Sequence, residues 1–452
     1  MKTTVKRSAA VLALSSVFAL PLVAHAGLME ISSLFVFGDS LSDGGNSGLR
    51  TQQFTNNPNI VFPPPPYFNG QYSNGPVAVE YLWNRYNPGN PGGFAPSLAG
   101  GTNYAIGGAT TGLASFNSVN DSVPNFLKPA FENYSNAWQL QTFSDQQPSF
   151  NPATSLFVVW LFPNDIFYSD ATGMLPGVVP GSPGGTDLIS NGIANILTTI
   201  GTLAQAGAEH FLVPNMPNLG LTPAFAGTPQ AGPLSFLTDT FNSNLAAQLT
   251  ALDAMLAAEI VQFDTNGAFA RIRADPLAYG FDNTTDSCVD NLASGVCNPG
   301  NWDRWLFWDG VHPTTHTHQV LASQFAMAVP EPSSVASLMI ALLALFVMTG
   351  RRSNPARERF LYAKVSRQIL RGARQLGRLT FEYDTPFLEH DAAIGVREHR
   401  AIVAIDNQRC DARCADCADD APDLAYHKRR QTFGCFVEQH HVGIRHQRTA
   451  DS

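Results

Sequence analysis

The chain has 452 residues, a formal net charge of −9 and 44% apolar residues, enough to bury a large core. Only 9 of the 27 Lys and Arg lie in residues 1–350, against 22 of the 36 Asp and Glu, so the body is acidic and the last 102 residues are net basic. An acidic, lysine-poor body excludes nucleic acid as a partner, because phosphate binding needs a basic face, and so sharp a change in usage marks a second region.

Chain order begins with a targeting segment. Lys2, Lys6 and Arg7 precede an apolar run from about Ala9 to Val23, and Ala24-His25-Ala26 fits small-x-small cleavage before Gly27. Residues 1–26 are therefore expected to be a signal peptide and the protein to be exported. The short apolar run SLFVF (33–37) predicts a buried strand that breaks at Gly38-Asp39-Ser40-Leu41. A serine on the turn after a strand stands at the carboxyl edge of an open α/β sheet, where a hydroxyl is exposed and backbone N–H groups face a developing oxyanion. Asp43 and Asn46 are expected to brace that turn through side-chain to backbone bonds.

Helices are predicted over 76–86, 135–147, 187–206 and 237–259, and further strands over 155–161, 210–214 and 260–264. Short apolar strands alternating with amphipathic helices predict an α/β fold, a three-layer α/β/α sandwich with a central parallel sheet covered on both faces. No internal repeat is visible. Cys288 and Cys297 lie nine apart in a polar loop, and export predicts a local disulfide. The loop leads to WDGVHPT (308–314), where Asp309 and His312 are three apart on one expected turn. A hydrolytic serine needs a base, and the base an orienting carboxylate, so Ser40, His312 and Asp309 form a candidate triad. His316 and His318 are two apart, would not share a helical face, and are not read as metal ligands. Trp302, Trp305 and Trp308 are read as packing.

Four blocks then resemble the GDSL, or SGNH, family of serine esterases and lipases: GDSLSDGGN (38–46), GGTNYAIGGAT (100–110), VVWLFPNDIF (158–167) and Asp309-Gly310-Val311-His312. PPPPYFNGQYSNGPVAVEYL (63–82) and NMPNLGLTP (215–223) resemble the family's non-catalytic signatures. The resemblance covers 27–327 and implies a flavodoxin-like sheet. It also implies Ser40 as nucleophile, His312 as base, Asp309 as its orienter and no cofactor. The oxyanion hole would comprise the N–H groups of Ser40 and Gly108 and the side chain of Asn164, with Gly107 the alternative to Gly108. The implied activity is carboxylic-ester hydrolysis, with a lipid or acylated glycan as substrate. An acyltransferase, an exopolysaccharide O-deacetylase and a non-catalytic matrix protein on the same fold are the alternatives. The third block departs from the family's Gly-x-Asn-Asp, with Phe162 in the glycine's place. Positive φ there would make phenylalanine costly; the apolar run Trp160–Pro163 instead suggests a wall of the acyl site. Asp165 is read as structural.

Past the body, VPEPSS (329–334), the apolar run 335–350 and Arg351-Arg352 resemble the PEP-CTERM sorting signal of Gram-negative bacteria (328–352). That implies transient membrane association through 335–350, an exosortase-type partner and delivery to the cell surface or matrix. Residues 353–452, with Cys410, Cys414, Cys417 and Cys435, lack paired metal-site spacing. They are read as an anomalous disordered tail.

Overall fold

The computed structural model describes residues 30–329. Residues 1–29 and 330–452, which hold the expected signal peptide, most of the expected sorting segment and the tail with its four cysteines, lie outside the described residues. Four parallel strands form the central sheet: β1 (Ser33–Gly38), β2 (Ser155–Trp160), β3 (His210–Pro214) and β4 (Glu259–Phe263), in that spatial order. The β1–β2 register pairs Ser33 with Ser155 through to Gly38 with Trp160. On the outer side of β1, Val36 N–H donates to Thr102 O and Tyr104 N–H to Val36 O. Residues 102–106 thus flank β1 opposite β2.

The inner strands β2 and β3 are buried along their whole length and β1 nearly so, because both faces are covered; β4, at the edge, carries Glu259 and an exposed Gln262. Leu34, Val36, Leu156, Val158, Trp160 and Leu212 enter one core cluster; the alternate residues Phe35, Phe37, Phe157, Val159, Phe211 and Val213 enter the other. The first face packs on α2 (Ala78–Tyr86), α7 (Thr265–Ala274) and α8 (Thr315–Ala328) through Leu82, Phe269 and Phe325. The second packs on α3 (Asn136–Gln146), α4 (Pro163–Thr172), α5 (Leu188–Gln205) and α6 (Ala231–Asp253). The sequence of α5 shows why it forms. Asp187 caps it by accepting from Ser190 N–H, and Ile193, Ile196, Ile200 and Leu203 recur at helical spacing on its buried face. The α/β/α sandwich expected from the sequence is the fold observed.

Boundaries differ at α6. It starts at Ala231 and ends at Asp253, where the sequence predicts 237–259. The Asp253 carboxylate takes Ile260 N–H instead, and residues 254–258, expected in the helix, form the turn into β4. Helix α1 (Asn46–Thr55), α4 and α7 were not anticipated; their apolar positions are few. Two short strands, β5 (Asn283–Ser287) and β6 (Trp305–Phe307), make a second, parallel sheet. The Cys288–Cys297 disulfide lies beside it, packed with Trp305 and Trp308 and partly with Trp302. No helix among the described residues is long and apolar enough to cross a membrane.

Candidate active site

Register brings three sequence blocks to one edge. At the carboxyl end of β1, Gly38 pairs with Trp160 on one side and its carbonyl accepts from Ile106 N–H on the other. Two residues past Gly38 is Ser40, two past Ile106 is Gly108, and four past Trp160 is Asn164. Gln139 of α3 closes the turn below them, accepting from Gly38 N–H and donating to Gly38 O at 2.8 and 2.7 Å.

The Ser40 turn is built by carboxylates. Asp39 Oδ1 accepts from Leu41 N–H. Asp43 accepts five bonds: from the N–H groups of Gly45, Asn46 and Gly107, and from both N–H and Oγ of Ser47. Asn46 joins in, donating to the carbonyls of Asn103 and Ala105 and accepting from Leu98 N–H. Asp43 thus braces the turn through side-chain to backbone bonds, as expected, whereas the Asn46 side chain bonds remote backbone at 98–105 and ties α1 to the second block.

His312 reaches the same place from the far end of the described chain. Its Nε2 lies 2.8 Å from Ser40 Oγ and its Nδ1 2.7 Å from Asp309 Oδ2. The expected turn is present: Asp309 Oδ1 accepts from Val311 and His312 N–H. One carboxylate thus both shapes the turn and orients the ring. Burial pushes the Asp309 carboxyl up, but the His312 charge, the ring bond and the two backbone N–H groups outweigh it and hold it below the usual range. Tyr67 adds a bond that spacing could not reveal, its hydroxyl donating to Asp309 Oδ2 at 2.7 Å. It comes from the proline-rich segment, which is fastened by Ser73 to Pro313 O and by Asn74 to Thr315 N–H at the start of α8.

The glycines of the second block divide their tasks. Gly107 N–H is occupied by Asp43 and Ser47, and a Cβ there would meet the Tyr72 ring at 2.0 Å. Gly108 has φ +81°, a conformation that favours glycine, and among the described residues neither its N–H nor that of Ser40 meets a hydrogen-bond acceptor. Those two N–H groups are therefore open to a ligand.

The third block carries the strain. Phe162 has φ +132°, where L residues are disfavoured, and Pro163 opens α4 immediately after it. Its ring is fully buried and stacks on Phe241, centroids 3.7 Å apart. A Cβ at Gly192 would meet the same ring at 2.5 Å. Phe162 is therefore a core residue and not the acyl-site wall the sequence suggested: the turn into α4 directs it under the sheet edge against α5 and α6. Asn164, on the first turn of α4, is 5% exposed, and its amide acts on the Asp39 carboxyl.

Three buried acids surround this centre. Asp39 Oδ2 has no hydrogen-bond partner, and burial pushes its carboxyl up to about 7, against the pull of Leu41 N–H, His312 and Asn164. Asp165 accepts from Thr111 N–H and hydroxyl; burial raises it to about 7 too, with Asp39 adding to the rise. Glu80, caught between Val77 N–H and Gln71, is raised to about 7 by burial. Of the three, the sequence singled out only Asp165, as structural; neither Asp39 nor Glu80 carried a sign of its raised carboxyl. Among the described residues no group of three or more His, Cys, Asp or Glu could hold a metal ion. His316 bonds Tyr279 O through Nε2, and His318 is fully buried with neither ring nitrogen bonded.

Comparison with known proteins gives a consistent picture. The family model described as GDSL-like Lipase/Acylhydrolase matches residues 34–325. An uncharacterised protein of the trpE-trpG intergenic region of Pseudomonas putida is 30% identical over 327 residues, covering 69% of this chain and 49% of that one. The thermolabile hemolysin of Vibrio parahaemolyticus is 26% identical, covering 65% and 63%. A phosphatidylcholine-sterol acyltransferase of Aeromonas hydrophila is 25% identical, covering 65% and 89%. The chain thus spans about half the length of the first of these relatives and under two thirds of the second.

Proposed function

Since the chain belongs to the GDSL-like lipase/acylhydrolase family, we propose that it is a serine carboxylic-ester hydrolase working through an acyl-enzyme on Ser40. The observation that carries this is the bonded series Ser40 Oγ–His312 Nε2, His312 Nδ1–Asp309 Oδ2, assembled from opposite ends of the described chain. In the reading, Ser40 Oγ attacks the acyl carbon while its proton passes to His312 Nε2. The ester C–O bond breaks as that proton passes to the departing alcohol oxygen. Water then attacks the acyl-enzyme, giving its proton to His312, and Ser40 Oγ leaves with it. Asp309 keeps the ring in the tautomer with its proton on Nδ1. Charge on the carbonyl oxygen is met by the N–H groups of Ser40 and Gly108 and by the Asn164 amide.

A lipid ester is the substrate class the relatives support, one being called a hemolysin and another a phosphatidylcholine-sterol acyltransferase. The latter also favours a second reading, in which an alcohol rather than water takes the acyl group from Ser40. The reading includes export after cleavage at 26, a hydrolase domain over 27–327 and sorting to the cell surface through 328–352 by an exosortase-type enzyme. The Cys288–Cys297 disulfide supports an oxidising compartment.

The test is hydrolysis of p-nitrophenyl acetate and octanoate by the wild type, Ser40→Ala and His312→Ala. Both variants are expected to lose about 10⁴-fold or more, and by similar amounts because the groups act as a unit. Near-normal rates in either variant reject the assignment.

A further inference from the structure

Residues 109–115 leave the site as a small hairpin. Ala109 bridges Ser115, and Phe116 N–H returns to Gly108 O at 2.7 Å. Its tip, at Gly112-Leu113, meets the loop that follows α4. Leu113 and Ala114 N–H both donate to Pro176 O, and Leu113 packs on Gly177. Here four aliphatic side chains face solvent together: Leu113 is 49% exposed, Met174 57%, Leu175 38% and Val178 37%. Single exposed apolar residues need no explanation, but a contiguous set does.

Two features say what this surface is for. It is rigidly held: Asn191 and Asn195 donate to Gly177 O, and Asn195 also to Thr111 Oγ1, which bonds Asp165 beside Asn164. Buried amides thus hold the apolar tip outward when collapse onto the body would hide it. It is also uncharged: residues 108–116 and 173–186 contain no Asp, Glu, Lys or Arg. An anionic membrane is ordinarily met by Lys and Arg, and these segments carry neither.

The hairpin links this surface to the reaction centre, since its base is the Phe116 N–H to Gly108 O bond. Three half-buried phenylalanines run in a row, Phe116 to Phe167 at 5.5 Å and Phe167 to Phe225 at 6.1 Å. Each stands beside one of the groups at the centre. Phe116 bonds Gly108, Phe167 is one helical turn after Asn164, and Phe225 follows Ala224, whose N–H bonds Gly310 O between Asp309 and His312. These rings, set beside the centre, would shelter an acyl chain from water.

We infer that Leu113, Met174, Leu175 and Val178 form an interfacial docking surface for zwitterionic lipid, passing acyl chains along Phe116, Phe167 and Phe225. The inference rests on the ester-hydrolase reading and narrows it from any ester to aggregated lipid. The probe is diheptanoylphosphatidylcholine below and above its critical micelle concentration, with the full chain and its Leu113→Asp/Leu175→Asp variant. Wild-type rate per monomer is expected to rise at least tenfold on crossing that concentration, and the variant to lose most of the rise. Sedimentation of both with phosphatidylcholine vesicles gives a readout without catalysis, with binding weakened at least tenfold in the variant; the 335–350 run is common to both. No rise in the wild type, an undiminished rise in the variant, or equal vesicle binding overturns the inference while p-nitrophenyl acetate hydrolysis still supports the reading. Loss of a dimer in the variant, with lipid binding unaffected, assigns the surface to a second copy and likewise overturns it. A wild type inert toward every ester and equal to the variant on vesicles overturns both.

Discussion

The Ser40 turn and the Asn164 turn lie side by side at one sheet edge, yet they are held in place by different physics. Around Ser40 the backbone is fixed by a carboxylate: Asp43 alone accepts five bonds, one of them from the second block. Around Asn164 it is fixed by packing. Phe162 occupies a left-handed conformation that glycine would adopt freely, and the stack on Phe241 and the fit against Gly192 keep it there. The cost of such a conformation is about 1–3 kcal/mol, and burying a phenylalanine is worth about 3–5 kcal/mol when measured by its removal. Packing therefore wins, and the family's usual glycine is dispensable here because α5 supplies one at Gly192 in the space the ring needs. Adjacent parts of one site can be anchored by polar satisfaction or by hydrophobic burial, and they should fail differently.

The largest effect should come from the polar anchor. Asp43→Ala leaves four buried donors without their acceptor and Gly107 N–H with Ser47 Oγ alone, and a loss of about 3–5 kcal/mol is expected, together with most activity, since the Ser40 turn loses its tie and the Gly107–Gly108 segment keeps only part of its own. Urea unfolding with activity measured in parallel checks this; a stable, active variant would show that the turn holds without its carboxylate.

Phe162→Gly should cost less. Strain relief offsets part of the lost burial, leaving a net loss of about 2 kcal/mol. Because Phe162 is wholly inside the core, kcat/KM should change by one common factor for short and long esters. A selective rise in KM for long chains would restore Phe162 to the acyl site. Asn164→Ala, by contrast, should lower kcat about 100- to 1000-fold with stability little altered.

The sequence showed the polar anchor and concealed the packed one for the same reason. Asp43 and Asp309 bond neighbours two to four residues away, so spacing reveals them, and the apolar runs of β1, β2 and β3 were equally plain because both their faces are buried; the bonds of Asn46, 52 to 59 residues away, were not. Phe162 depends on Phe241 and Gly192, remote positions that no local pattern connects. Tyr67 is equally hidden, 242 residues from the carboxylate it bonds, and so are α1, α4 and α7, whose mixed composition leaves tertiary contacts to decide.

The smallest effect concerns charge. Asp165 has its carboxyl raised to about 7 by burial, so the folded state binds its proton more tightly than the unfolded state, where the ordinary value is 3.8. The stability this gives is full below about pH 4 and is lost as pH rises toward 7. Asp165→Asn removes the titration and can still accept from Thr111. Its melting temperature relative to wild type should therefore improve by at least about 3 °C between pH 4 and pH 8; a difference independent of pH would mean that Asp165 is ionised at a normal value. Asp309, held low, has the opposite sign: its contribution is present above its unfolded value and lost as pH falls.

The central claim is that Ser40 is a nucleophile activated by His312, and covalent capture tests it most directly. Treatment with a fluorophosphonate followed by peptide mass spectrometry should give one adduct, on Ser40, absent in Ser40→Ala and formed far more slowly in His312→Ala. An adduct on another serine, or undiminished labelling of Ser40→Ala, would contradict the account.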